Sequence, residues 1–257
     1  MQITVLGCRG SMPVVQKEMQ EFGGDTSCYQ IEAQGESLFL DAGTGLTHAS
    51  LPERKPIHIL ISHPHVDHLL GLPMFPGLFQ RDRKVILYGT AAGGLSLEEQ
   101  VTRLMGPPLW PATFHQYPAD VQFQEVRFPH SIGPFMIEAM PSCHPGGSLI
   151  FKVSACGKSI VYATDFEHTE EKTRELTAFA AGADLLLYDA QYTEEEFSVK
   201  KGFGHSTAEA GKRVQMESGA GRLLLIHHDP RYTDDFLKRQ EKTLGVRYIR
   251  QGEVIRL

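Results

Sequence analysis

The sequence predicts an α/β fold in which two β-sheets pack together and helices cover their outer sides. The 257-residue chain contains roughly a dozen short segments rich in Val, Ile, Leu, Phe and Tyr, which are typical of strands. Gly, Pro and Asp separate these segments, and five helical patterns lie between or after them. Strands and helices in mixed order favour a layered sandwich. The length and the 41% hydrophobic content indicate a single domain covering residues 1–257.

The strand segments are bounded by turn residues, and tight glycine turns join some neighbours. The stretches EAQGES and SACGKS predict two antiparallel hairpins. The predicted strands are Gln2–Gly7, Ser27–Ala33, Ser37–Asp41, Pro56–Ser62, Val85–Tyr88, Val121–Arg127, Phe135–Met140, Leu149–Ser154, Ser159–Thr164, Leu185–Tyr188, Leu223–Ile226 and Arg247–Leu257.

Five segments carry helical patterns. The first begins after Asp67, where the chain leaves an apolar run. Ser206 and Glu209 have the spacing of a capping box at the start of the fourth helix. The other predicted helices are Leu97–Met105, Glu170–Ala181, Thr207–Glu217 and Asp234–Leu244.

Composition and charge limit the classes of partner. The formal net charge is −6 and the basic residues form no cluster, so we do not expect a long nucleic acid as partner. No apolar run approaches the ~20 residues that span a bilayer, and no export signal begins the sequence. The four cysteines lack CxxC spacing, which suits a reducing compartment. We therefore expect a cytoplasmic protein without a membrane partner. The sequence is compatible with a homodimer.

The stretch SHPHVDH, residues 62–68, concentrates metal-ligand side chains directly after a predicted strand. His63 and His65 are two residues apart, and Pro64 favours an extended backbone, so both imidazoles project to one side. The turn that follows brings Asp67 and His68 to a neighbouring point. Imidazole and carboxylate ligands suit zinc, manganese or iron, and each ion needs further ligands from elsewhere in the chain.

Further His and Asp residues follow other apolar runs. His144, Asp165, His227 and His228 each come at or just after the end of a predicted strand. A lone histidine is more often a surface or core residue than a ligand. The repeated placement of ligand-type residues at strand ends nevertheless indicates a common metal site.

These motifs resemble those of the metallo-β-lactamase superfamily. SHPHVDH is similar to its HxHxDH signature, while GCRGSMP, LFLDAGTGL, GHSTAEAG and IHHDPRYTDDF resemble the branch that contains ribonuclease Z and small phosphodiesterases. The resemblance implies a four-layer αββα fold with two divalent ions, zinc first, manganese or iron otherwise. It assigns His63, His65 and His144 to one ion, Asp67, His68 and His227 to the other, and Asp165 to both. Asp41 would orient a ligand imidazole. The alternative role of Asp41 is to form the turn before Gly43.

The implied chemistry is hydrolysis by a hydroxide held between two ions. Asp67 would act as a base as well as a ligand. His205, just before the fourth helix, is the candidate proton donor to the leaving oxygen, and the start of that helix is a candidate phosphate site. His228 would assist His205 or simply hold His227.

Ribonuclease Z carries a long basic arm for tRNA between the positions that correspond to His144 and Asp165, where this sequence has room for a hairpin only. The prediction is therefore a phosphodiesterase for a small, linear or cyclic, nucleotide or sugar phosphodiester. The alternatives are hydrolysis of a thioester, lactone or β-lactam, a ribonuclease Z-like RNA endonuclease, and a non-catalytic binding scaffold. Trp110, Phe114 and Tyr117, in a proline-rich loop, would stack a base or pack the loop onto the core.

Overall fold

The computed structural model describes residues 1–51 and 55–257, in which thirteen strands form two sheets. The strands are β1 (Gln2–Gly7), β2 (Cys28–Ala33), β3 (Glu36–Leu40), β4 (Ile57–Leu60), β5 (Lys84–Gly89), β6 (Asp120–Glu125), β7 (His130–Ile132), β8 (Phe135–Pro141), β9 (Leu149–Ala155), β10 (Lys158–Ala163), β11 (Leu185–Asp189), β12 (Arg222–Ile226) and β13 (Val254–Arg256). The first sheet has the order β13-β1-β2-β3-β4-β5-β6, and the second has the order β12-β11-β10-β9-β8-β7.

The helices lie on the outer faces of the two sheets. The α-helices are α1 (Leu97–Thr102), α2 (Glu170–Phe179), α3 (Glu194–Val199), α4 (Ala208–Ser218) and α5 (Asp234–Leu244). Short 3-10 helices occupy Lys17–Met19, Thr44–His48, Val66–His68, Leu72–Met74, Pro76–Phe79 and Phe114–Gln116. None of the helices in the described part of the chain is long and apolar enough to cross a bilayer.

Three apolar clusters hold the layers together. The first lies between the sheets and includes Ile31 of β2 and Val153 of β9. The second packs α2, α4 and α5 onto the outer face of the second sheet, with Leu186 of β11 at its centre. The third packs α1 and several 3-10 helices onto the first sheet. The predicted four-layer α/β sandwich is thus confirmed. Strand β11 is buried along its whole length because both of its faces are covered, and all of its residues before Asp189 are apolar or aromatic.

Strand direction brings many chain segments to one edge of the sandwich. Strands β3 to β6 are mutually parallel, as are β10 to β12. The hairpins β2–β3 and β9–β10 are antiparallel, as the glycine turns predict. Because β8 and β10 both run antiparallel to β9, they also point the same way. The carboxyl ends of β3, β4, β8, β10, β11 and β12 therefore lead into loops that can converge on one site.

Two predictions of local structure were wrong, and two elements were missed. The segment after Asp67 forms short 3-10 helices instead of an α-helix, since Pro73 and Pro76 remove backbone donors. The expected long strand at Arg247–Leu257 is reduced to β13, because residues 247–249 bond with Leu225 of β12 before the chain turns. The strand β7 and the helix α3 were not predicted.

The capping box of the fourth helix was also wrong. The N-cap of α4 is Thr207, whose hydroxyl accepts a hydrogen bond from Ala210 N at 3.2 Å. The Ser206 hydroxyl lies instead 2.7 Å from both His168 Nδ1 and Tyr188 OH. A tertiary contact has therefore taken the side chain that the local pattern assigned to the cap.

Candidate metal centre

One group of ligand-type side chains gathers around an oxygen of Asp165. His63 and His65 follow β4, His144 follows β8, and Asp165 follows β10. The Nε2 atoms of His63 and His144 lie 3.5 and 3.4 Å from Asp165 Oδ2. His65 Nδ1 lies 3.0 Å from His144 Nε2. The four ligand atoms fall within 4.8 Å of one another, so the structure brings the predicted first set together.

A second group surrounds the other oxygen of the same carboxylate. The Nε2 atoms of His68 and His227 lie 3.3 and 3.2 Å from Asp67 Oδ2. The same two nitrogens lie 3.1 and 3.2 Å from Asp165 Oδ1. Asp165 therefore places one oxygen in each group, which is the arrangement expected of a carboxylate that bridges two ions.

The spacing of these atoms fits divalent cations. Four tetrahedral ligands at ~2.0–2.1 Å from a zinc ion lie about 3.3 to 3.4 Å from one another. The separations from Asp165 and Asp67 fall between 3.1 and 3.5 Å. The Nε2 atoms of His63 and His68 are buried and make no well-aligned hydrogen bond within the described residues, although carboxylate oxygens lie nearby. Buried polar nitrogens without an aligned partner are suited to a metal ion.

Acceptors behind the rings fix their orientation. His68 Nδ1 donates to Asp41 Oδ2 at 2.7 Å, and His227 Nδ1 donates to the Gln191 side-chain carbonyl at 2.9 Å. His144 Nδ1 donates to the backbone carbonyl of Gly204 at 2.9 Å. The hydrogen bond from Nδ1 thereby directs Nε2 of each ring at the centre. Metal-binding histidines are usually oriented by a hydrogen bond of this kind. The orienting role inferred for Asp41 agrees with this geometry.

The electrostatics of the centre favour a cation. Burial lowers the pKa of His63, and the nearby His68 lowers it further, so its ring is neutral at pH 7. Burial alone would lower the pKa of His227, but the carboxylates of Asp165, Asp67 and Asp189 together outweigh it and raise that pKa to about 9. Burial opposes ionisation of Asp67, yet His68 and His227 hold its pKa well below the usual range. The ionised carboxylates of Asp67 and Asp165 raise the pKa of His68 and of His227, and the same negative charge favours a divalent cation, which would displace the protons of these two rings.

His205 lies beside the two groups. One of its ring nitrogens falls within 4.8 Å of ligand atoms of Asp165 and His227. Its Nδ1 lies 2.8 Å from the fully buried carboxylate of Asp189, at the end of β11, which leaves Nε2 for the site. This pairing holds one tautomer of the ring in place.

The start of α4 does not offer the predicted phosphate site. Ser206 and Thr207 are fully buried, and the Thr207 hydroxyl donates to the carboxylate of Glu194. A carboxylate at this position would repel a substrate phosphate. His205 is therefore placed for chemistry by its own contacts rather than by the helix terminus.

His228 does not face the centre, contrary to the expected catalytic role. Its ring is fully buried, donates from Nε2 to the Ile249 carbonyl at 2.8 Å, and packs edge-on against Phe22 and Tyr248. Burial, reinforced by the charge of Arg9, lowers the pKa of His228 to about 3. The ring is therefore neutral and part of the hydrophobic packing.

The aromatic loop packs onto the body of the protein. Phe114 is buried against Phe123, while Trp110 Nε1 donates to the Tyr117 hydroxyl at 2.9 Å. That hydroxyl in turn donates to the Pro73 carbonyl at 2.9 Å. Of the two roles considered for these side chains, the structure favours packing.

Several residues of the site escaped the sequence analysis. Asp189, Gln191, Glu167 and the Gly204 carbonyl all support histidines of the centre. Asp189 is the last residue of an apolar strand, and Asp165 and His227 also lie at or just after strand ends. The search for ligand-type residues at strand ends could therefore have found Asp189. No comparable signal marks a backbone carbonyl or an amide in a loop.

Comparison with known proteins identifies the class. A family model described as "Beta-lactamase superfamily domain" matches residues 18–228, more than half of the chain. The chain is similar to "Probable metallo-hydrolase YhfI" of Bacillus subtilis, with 24% identity over 261 residues that cover 95% of this chain and 93% of that protein. It is also similar to a ribonuclease Z of Lactiplantibacillus plantarum, with 24% identity over 265 residues covering 84% and 85% of the two chains.

Solved structures show the same fold. The YhfI crystal structure matches with a TM-score of 0.76 and 23% identity, covering 99% of this chain and 98% of that one. A diphosphatase from the PhnP family matches with a TM-score of 0.70 and 18% identity, covering 100% and 97%. The chain belongs to the metallo-β-lactamase superfamily, which confirms the resemblance seen in SHPHVDH and related motifs. It is a metal-dependent hydrolase, and its fold implies divalent metal ions.

Proposed function

We propose that this protein is a phosphodiesterase with two divalent ions, zinc by preference, and that it hydrolyses a small linear or cyclic phosphodiester of a nucleotide or sugar. The observation that carries the proposal is the His205–Asp189 pair beside two ligand groups that share Asp165. Bound divalent ions supply an activated water and positive charge for the non-bridging oxygens of the substrate. The cytoplasmic setting expected from the cysteine pattern is part of the proposal.

The protein's own residues have distinct roles in this reaction. His63, His65 and His144 would hold one ion, Asp67, His68 and His227 the other, and Asp165 both. Asp67 also accepts a proton from the attacking water. His205 would act as the imidazolium: its Nδ1–H donates to the Asp189 carboxylate, and its Nε2–H gives its proton to the departing alkoxide, which leaves a neutral ring with the remaining proton on Nδ1.

Three considerations favour a small phosphodiester over the alternatives. An alkoxide is a poor leaving group and needs a proton donor such as His205, whereas a thiolate leaves without one. Between His144 and Asp165 the chain forms the hairpin β9–β10 and no long arm for RNA. Relatives named ribonuclease Z and a structural neighbour named diphosphatase support chemistry at phosphate.

The test compares two leaving groups in wild type and His205→Ala. For a diester that releases an alkoxide, the substitution should lower kcat by about a hundredfold or more, the usual scale of general acid catalysis. For a diester that releases nitrophenolate, the loss should be much smaller because that leaving group needs no proton. The metal content of both proteins is measured in parallel, and His115→Ala, at an exposed histidine, is the matched control.

Other outcomes would redirect the proposal. Equal losses on both diesters would mean that His205 binds the phosphate rather than donating a proton. Loss of an ion from His205→Ala would make His205 a ligand. A thioester hydrolysed with higher kcat/KM than either diester would replace phosphodiester hydrolysis with the carbonyl alternative.

A further inference from the structure

A cavity of about 210 Å³ opens next to the metal centre, and His63 forms part of its wall. Its other walls come from the end of β4, from the segment 90–100 that contains the start of α1, and from the loop between β8 and β9. Most of the lining is apolar and includes Ile61, Pro64, Leu97 and Leu149. A group attached to a phosphate at the centre can therefore reach this cavity.

The lining also contains four uncharged polar side chains, those of Ser62, Thr90, Gln100 and Ser148, and two of them matter for the recognition of a ligand. Ser148 is 5% exposed, and its hydroxyl has no hydrogen-bond partner among the residues that the structure describes. Gln100 is also buried, and its side-chain amide donates to the carbonyls of Thr90 and Leu95 at 3.0 Å each. These two bonds fix the amide and leave its carbonyl oxygen as an acceptor. The residues that line the cavity thus include one hydroxyl without a hydrogen-bond partner in the described chain and one oriented acceptor.

The charge of the lining indicates which kind of chemical group the cavity can bind. Apart from His63, the lining residues in the described chain include no Asp, Glu, Lys, Arg or His. A second phosphate or a carboxylate would find no cation there, and an ammonium group would find no anion. Burying a charged group without a partner is costly, so the cavity selects an uncharged group.

We infer that this cavity binds the base of a nucleotide phosphodiester. The inference rests on the proposed phosphodiesterase activity and chooses between its nucleotide and sugar substrates. A base is uncharged, has flat apolar faces, and carries N–H and C=O groups that match Gln100 and Ser148. A sugar would bring several hydroxyls into a mostly apolar lining, where some of them would lack partners. The volume lies below the roughly 300 Å³ at which sites for whole drug-sized ligands begin, which suits one ring system.

The test uses substrates that differ in the base alone. These are the methyl esters of thymidine 5′-phosphate and deoxyadenosine 5′-phosphate, and the matching ester of 1-O-methyl-2-deoxyribose 5-phosphate, which has no base. Wild type should hydrolyse at least one base-containing ester with a kcat/KM about tenfold or more above that of the ester without a base. Hydrolysis is followed by chromatographic separation of the products.

Two variants locate the effect in the cavity. Ser148→Ala should lower kcat/KM for the preferred base ester by roughly fivefold to tenfold, the loss of one hydrogen bond, and leave the ester without a base unchanged. Its melting temperature should stay the same or rise, because the Ser148 hydroxyl has no protein partner to lose. Ala92→Phe, in the cavity wall, should abolish the preference by filling the space. Ser131→Ala, at an exposed serine of β7, is the control.

Each contrary result has a separate meaning. Equal kcat/KM for esters with and without a base overturns the inference, as does a base preference that survives both cavity variants. If Ser148→Ala lowers the melting temperature and leaves the preference intact, Ser148 has a structural role and the inference fails. If neither these esters nor bis(p-nitrophenyl) phosphate is hydrolysed by the zinc-loaded protein, the proposed function itself fails.

Discussion

Individual side chains that would touch neither metal nor substrate set the geometry of the centre. The carboxylate of Asp41 illustrates this, since it accepts hydrogen bonds from His68, Ser62 and the Tyr162 hydroxyl at 2.7 to 2.8 Å. A ring held in this way presents its free nitrogen in one direction, which lowers the entropy lost when a ligand binds. Residues of this kind should therefore influence metal affinity.

Glu167 provides a sharp test of such support. Its Oε2 accepts from Gly202 N at 2.7 Å and Gly204 N at 2.9 Å, and the Gly204 carbonyl holds His144. Glu167→Ala should release this loop and weaken zinc binding by about 10- to 100-fold, measured by competition titration against a chelating dye.

Glu167→Gln keeps an oxygen acceptor and should bind zinc almost as wild type does, and Glu171→Ala, at an exposed glutamate nearby, serves as the control. Equal affinities of the Ala and Gln variants would show that charge or packing, and not the acceptor, matters at Glu167.

His228 should behave as a core residue. His228→Ala removes a buried ring packed on Phe22 and Tyr248 and a hydrogen bond to Ile249, so unfolding free energy should fall by about 2 to 5 kcal/mol. The kcat of the protein that remains folded should be unchanged. Urea unfolding and steady-state kinetics on the same preparation separate the two effects, and a large fall in kcat at unchanged stability would restore a catalytic role.

The centre is assembled from loops at the ends of strands, and the neighbouring helices keep those loops in place. Helices α4 and α5 illustrate this, because each has eleven residues and a threonine N-cap. The cap of α4, Thr207, lies two residues after His205, whereas the cap of α5, Thr233, follows the last ligand His227 by six residues. Removal of the N-cap hydroxyl from each of the two helices should thus have unequal effects on catalysis.

Thr207→Ala and Thr233→Ala form a matched pair for this purpose. Each removes an N-cap hydroxyl, which should reduce the free energy of unfolding by about 1 kcal/mol. Thr207→Ala also removes the hydrogen bond to Glu194, so its stability loss should be the larger of the two. Only Thr207→Ala should also lower kcat, on the order of tenfold, because it shifts the segment that carries His205. Similar losses of kcat in both variants would point to general loosening of the fold.

In the molecule as a whole, the metal centre connects the two sheets. Its ligands follow β4 of the first sheet and β8, β10 and β12 of the second, so bound ions would tie the halves of the sandwich together. A metal ion that binds the folded state and not the unfolded state stabilises the folded state by mass action.

Removal of metal should therefore destabilise the protein. Free zinc at a hundredfold excess over Kd adds about 2.7 kcal/mol, which corresponds to roughly 5 to 11 °C in melting temperature for a chain of this size. Calorimetry with chelator and after re-addition of zinc measures the shift, and elemental analysis should find close to two ions per chain. The double variant His63→Ala and His65→Ala should carry at least one ion fewer. A protein that takes up no zinc or manganese would contradict the entire assignment.

The features that were predictable from the sequence are those written in adjacent residues. The short apolar runs, the glycine turns and the SHPHVDH stretch each lie within a few positions, so the layered fold and the predicted ligand residues could be proposed before any contact was known. The effect of prolines on helix type and the position of helix caps were harder to predict, as the 3-10 helices after Asp67 and the cap of α4 show.

Other features depend on residues far apart in the chain. Asp41 meets the Tyr162 hydroxyl across 121 positions, and Glu167 reaches Gly204 across 37. His227 and His228 have the same chemistry and adjacent places, yet one ring enters the centre and the other enters the core. No local pattern distinguishes them, because the direction of each ring is set by the backbone and the packing partners that meet it only when the two sheets close.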